Sequence, residues 1–146
     1  MKLSALGFAI ALGCAPVVGQ AQSFHLYCVG LTKVAAAPRS FVSQVFKVSG
    51  VDFLKEGTAG KTLVEIEKAW SEFTGCDFKS DHGRCYCSYS ESMESATKSR
   101  ADCVKTMEDS LLESPSGQMN PSTVRSVELP GDYIDAAVAK GKAAQK

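Results

Sequence analysis

The sequence predicts a small α+β domain, a mostly antiparallel sheet with two helices on one face, in the order ββαβαβ and stapled by disulfides. Three observations carry this reading. Runs rich in aromatic and branched residues near the N-terminus have the character of strands. Two later segments repeat apolar residues at three- and four-residue spacing, as helices do, and two of the cysteines fall in the middle of strand-like runs.

Ahead of the domain stands a leader. Lys2 supplies one positive charge, Ala5 to Val18 carries none, and Gly19-Gln20-Ala21 ends the run with small residues where a signal peptidase reads them. The apolar run is shorter than the roughly 20 residues a membrane-spanning helix needs. Residues 1–21 are therefore expected to be a signal peptide cut after Ala21, sending the chain to the periplasm or outside the cell. Ala11-Leu12-Gly13-Cys14 is a degraded lipobox that lacks the bulky aliphatic three residues before Cys14, so cleavage is preferred to lipid attachment. No later segment is apolar for long enough to span a bilayer.

The remaining residues, about 125, suit one domain, expected over 22–130 with a flexible Ala/Lys-rich tail at 131–146. Sixteen basic and sixteen acidic residues balance to zero, and loss of Lys2 leaves one net negative charge. Interspersed charges of that balance give no electrostatic basis for nucleic acid or anionic membranes as partners.

Phe24 to Leu31 is the first predicted strand, followed by a small-residue connection from Thr32 to Pro38. Arg39 to Ser49 is the second, with Val42, Phe46 and Val48 on one face and Ser43 and Lys47 on the other, pairing antiparallel with the first. Gly50 to Gly60 reads as loop, anchored by Phe53 and Leu54. Thr62-Leu63-Val64-Glu65 has the form of a capping box. Leu63, Ile66, Trp70 and Phe73 then form an apolar stripe, and Gly75 stands where a left-handed cap ends the helix. Cys76 to Gly83 is turn-rich. Arg84 to Tyr89 is a strand with Cys85, Cys87 and Tyr89 on one side. Ser90 is the expected cap of a second helix, whose stripe is Met93, Ala96, Val104, Met107 and Leu111 with Cys103 at its edge. Ser114 to Ser122 is loop, and Thr123 to Leu129 is a last strand.

Six cysteines less Cys14 leave Cys28, Cys76, Cys85, Cys87 and Cys103, which in an oxidising compartment read first as disulfides. Five is odd, and two bonds among five can be drawn in about fifteen ways. Cys28 and Cys87 both lie mid-strand, where neighbouring strands come within bridging distance, so they are the first expected pair. The second comes from Cys76, Cys85 and Cys103, with one left over. Cys103 lies about 18 Å along its helix and is expected beside Cys85 and the Cys76 loop rather than beside Cys87.

A second reading makes Cys76, His82, Cys85 and Cys87 a thiol-active or metal-binding set. These are the ligand types zinc takes, but the spacing is not that of a Cys-x2-Cys knuckle. Cys85-x-Cys87 on a strand also lacks the helix N-terminus that activates a Cys-x-x-Cys thiolate. His25 reads as a solvent-facing strand residue, and Glu65, Glu67 and Glu72 as the solvated flank of a helix. Neither Gly-x-Ser-x-Gly nor His-Glu-x-x-His occurs. No catalytic residue, metal or cofactor is implied.

The order Tyr27-Cys28, Phe41-Val42-Ser43-Gln44-Val45-Phe46, a helix ending near Phe73, then Cys87 followed by Ala96 and Arg100, resembles a loose group of small exported bacterial proteins. The resemblance spans residues 24 to 110. It implies the strand order and the Cys28–Cys87 pairing and no activity; Cys76, Cys85 and Cys103 depart from it. The functional expectation is an exported, non-enzymatic module that binds a protein or cell-wall component, with its oligomeric state left open.

Overall fold

Side chains alternate along Phe24-His25-Leu26-Tyr27-Cys28-Val29, and that alternation places one set of large residues on each side of a central strand. In the computed structural model this strand is β1, Ser23–Thr32. The structure describes residues 22–32, 39–56, 60–76, 85–112 and 124–145. The leader with Cys14, His82 and the loop expected at 114–122 lie outside the described residues.

Among the described residues the architecture is α+β, with a mixed sheet of five strands and four helices. β2 (Arg39–Ser43) and β3 (Phe46–Ser49) pair antiparallel with the two halves of β1 along one edge. β4 (Cys85–Ser90) pairs antiparallel along the other edge, and β5 (Val124–Val127) runs parallel to β2. α1 (Phe53–Glu56) and α2 (Lys61–Thr74) precede β4, α3 (Met93–Leu112) follows it, and α4 (Gly131–Ala143) closes the described chain.

The segment expected as one strand over 39–49 is two, and the cause is a β-bulge. Leu26 stands opposite Phe46 and Val29 opposite Val42, so Tyr27 and Cys28 face Ser43, Gln44 and Val45. The extra residue reverses the alternation. Phe46 and Val48 join the core beneath α2, while Val42 points to the opposite side with Tyr27 and Val29. The expectation that Val42, Phe46 and Val48 share a face is corrected accordingly.

The helices cover both faces of the sheet. α2 and α4 lie over Phe24, Leu26 and Cys28. α3 crosses the other face, where Cys103, Val104 and Met107 pack on Tyr27, Val29 and Val42. The two helices sharing a face are thus α2 and the C-terminal helix, not α2 and α3. Met93, expected in the α3 stripe, is 48% exposed.

Caps differ from expectation as well. Thr62 and Glu65 form no capping box: the Thr62 N–H and hydroxyl both donate to the Glu56 carboxylate, at 3.2 and 3.1 Å. Glu56 therefore satisfies one of the otherwise unpaired first-turn amides of α2. Gly75 ends the helix in the left-handed conformation, φ 70°, as its position predicts. Ser92 rather than Ser90 caps α3, its hydroxyl accepting the Ser95 N–H at 3.1 Å. Of the two loop anchors, Phe53 is fully buried against Phe24 and Tyr89, whereas Leu54 is exposed.

The segment expected as a flexible tail is α4. Ile134, Ala137 and Gly141 are buried on α2, a contact available because Ala and Gly let two helix backbones approach closely. A Cβ on Gly141 would stand 2.4 Å from Thr62 Cα. Gly141→Ala sets a helix-propensity gain of about 1 kcal/mol against a backbone clash. Overpacking of this kind costs about 1–3 kcal/mol, so the variant is expected to unfold at lower urea concentration than the parent. An unchanged or raised midpoint would show that α4 does not dock through Gly141.

Candidate functional site

β4 presents Cys85, Cys87 and Tyr89 to the α2 side and Tyr86 to the α3 side, as strand alternation requires. Cys87 is bonded to Cys28, its direct partner across β1 and β4. Cys85 is bonded to Cys76, just past the end of α2. In the chain-entropy picture the first bond, closing 59 residues, is worth about 4 kcal/mol and the second, closing 9, under about 3 kcal/mol.

Cys103 belongs to neither bond. It is not beside Cys85 and the Cys76 loop, because α3 passes over the opposite face of the sheet. Its sulfur instead lies 3.6 Å from the Tyr86 hydroxyl. Of the set Cys76, His82, Cys85 and Cys87, the structure brings the three cysteines to one region but joins their sulfurs in disulfides. Among the described residues no group of three or more His, Cys, Asp or Glu side chains is placed to hold a metal. His25 is half-buried rather than solvent-facing, opposite Lys47 and Ser90 on the flanking strands.

The Cys28–Cys87 pair directs both of its amides outward. Cys28 N–H donates to Ser43 Oγ at 2.8 Å. Cys87 N–H, on the outer edge of β4, donates to Glu67 Oε1 at 3.0 Å. Glu67 thus joins a helix to the sheet edge instead of lying on a solvated flank. It sits four residues after Leu63 and three before Trp70, at the border of the buried stripe, and that spacing is the signal that marks it in the sequence. Burial raises its pKa from the ordinary 4.5, an effect partly offset by the bond from Cys87.

Concavities lie on either side of α2. Between β4 and α2, a cleft of about 520 Å³ is lined by Leu63, Glu67, Tyr86, Cys87, Ser88 and Tyr89. Among the described residues Glu67 is its one charged lining residue. Between α2 and α4, a groove of about 280 Å³ carries acids and bases together, among them Glu65, Lys68, Glu72, Asp132 and Lys140. Tyr133 in that groove meets Phe73 edge-on at 5.5 Å. The exposed Glu65–Lys68 ion pair at 2.6 Å contributes little stability.

Comparison with protein-family models, with characterised proteins and with solved structures finds no match to this chain.

The raised pKa of Glu67 fixes the sign of a pH effect. A carboxyl that binds its proton more tightly when folded adds stability below its unfolded pKa, and that contribution is lost as pH rises through the folded value. Glu67→Gln keeps an oxygen for the Cys87 N–H and cannot ionise. Relative to the parent, this variant is expected to gain stability between pH 4 and pH 7.5, read as the difference in urea midpoints. A difference that stays constant or falls over that range would refute the assignment.

Proposed function

We propose that the chain is an exported, non-enzymatic binding module, taking a protein or cell-wall component, with its mature form beginning at Gln22. The observation that carries this reading is the burial of the disulfide sulfurs' residues. Cys28, Cys76, Cys85 and Cys87 are 0%, 3%, 8% and 6% exposed. Thiol exchange requires a thiolate to reach a disulfide sulfur, and residues buried to this degree between sheet and helix resist that approach. The bonds accordingly support a scaffold role. Among the surfaces the scaffold offers a partner are the concavities on either side of α2.

Among the described residues no helix is long and apolar enough to cross a membrane. Together with the disulfides, this is compatible with export of the mature chain.

Intact mass and thiol titration on protein purified from its own export compartment test the proposal. A mass starting at Gln22 and one alkylatable thiol under native conditions, at Cys103, are expected. Two or more reactive native thiols, or turnover of a disulfide substrate, would replace the binding reading with a thiol-active one.

A further inference from the structure

We infer that the cleft between β4 and α2 is a docking groove for an extended peptide segment bearing a basic side chain, the peptide adding alongside β4 with its cation at Glu67. The inference rests on the binding-module reading and narrows its partner to a class.

The backbone provides the first part of the case. In an antiparallel pair, the residues of a non-hydrogen-bonded pair turn both N–H and C=O away from the partner strand. Cys28 and Cys87 form such a pair, since each amide bonds outward, to Ser43 and Glu67. The same alternation turns the polar groups of Cys85 and Tyr89 to the outer edge of β4. Among the described residues β4 pairs only with β1. A row of backbone groups along an edge strand, walled by a helix, is the geometry used for strand addition.

The side chains provide the second part. Leu63 and Tyr89 give the cleft apolar and aromatic walls, suited to the alternate side chains of an extended peptide. Among the described residues its single charge is the half-buried Glu67 carboxylate, whose hydrogen bond comes from a neutral amide. A desolvated carboxylate without a cation raises the free energy of the empty site, and a lysine or arginine from a partner relieves that cost. The α2–α4 groove lacks this bias, because Lys68 and Lys140 already stand among its acids.

The test uses the full mature chain with its disulfides intact, immobilised, and a random heptapeptide display library as the probe. Enrichment of peptides with Lys or Arg at one fixed position, flanked by alternating branched or aromatic residues, is expected. A synthetic copy of an enriched peptide should bind Glu67→Gln roughly tenfold more weakly than the parent. It should also slow hydrogen exchange at the Tyr89 amide and lose binding when its alternate amides are N-methylated. Should Glu67→Gln fold poorly, Glu67→Lys paired with a Lys-to-Glu peptide tests the same contact by restored binding. No enrichment, enrichment without a basic residue, or binding indifferent to Glu67 would overturn the inference. So would self-association of the chain through β4. A peptide whose binding is lost in Tyr133→Ala instead would overturn it while leaving the binding-module reading intact, whereas reactive native thiols would remove that reading itself.

Discussion

The Cys28–Cys87 bond joins two residues that face each other across the central strands, and the surrounding structure is organised by where their amides must go. Neither N–H can be used between β1 and β4, so each needs an acceptor on the far side. On one side the acceptor is the Ser43 hydroxyl, placed opposite Cys28 by the bulge. The bulge in turn leaves the Ser43 carbonyl for the Arg100 guanidinium at 2.6 Å, and Arg100 also reaches Ser126 Oγ at 2.7 Å. Gln44 exchanges two side-chain hydrogen bonds with the Leu129 backbone, at 2.9 and 2.8 Å, in the manner of a strand partner. One cystine is thereby connected through one bulge to α3, to β5 and to the residue that leads into α4.

The resemblance noted in the sequence gains a physical content from this arrangement. Tyr27 donates or accepts at Ser99 of α3, Cys28 and Cys87 form the bond, Ser43 accepts the amide, Arg100 holds the bulge and Ala96 is a buried residue of α3. These residues hold one part of the structure to another. A pattern of this kind specifies how sheet and helix are fastened and leaves the outer surfaces of α2, α4 and β4 unspecified, which is why it implies a fold and no activity.

What could be read in the sequence was local. The strands, the α2 stripe, the Gly75 cap and the mid-strand position of two cysteines each follow from residues within a few positions of one another. What could not be read depends on distant partners. The bulge at Ser43–Val45 needs Cys28 and Arg100 to stabilise it, and without it Val42 is assigned to the wrong face. The side taken by α3 decides the fate of Cys103, yet its weakly patterned stripe does not reveal that side. Glu56 as the cap of α2 and Gly141 as the seat of α4 are both contacts to Thr62, one from a short helix before it and one from the far end of the chain. Glu67 was visible only as a border position of a stripe.

The position of Glu67 also bears on how this protein keeps an edge strand safe. Edge strands invite uncontrolled pairing, and charged side chains are a common means of blunting them. A lysine would do this by projecting into water, at little cost to the fold. Here the guard is a carboxylate bent back onto the edge amide, half-buried and raised in pKa, which is a costlier device. Its hydrogen bond to Cys87 is worth about 1.5–3 kcal/mol net, and an incoming peptide carbonyl that takes over the same N–H offsets part of that loss. The displaced carboxylate then has a reason to seek a cation, whereas a lysine guard would only repel or withdraw. On the proposed reading, an acid in this place disfavours an acidic strand and favours a basic one, so the side chain that protects the edge also sets the charge of what joins it.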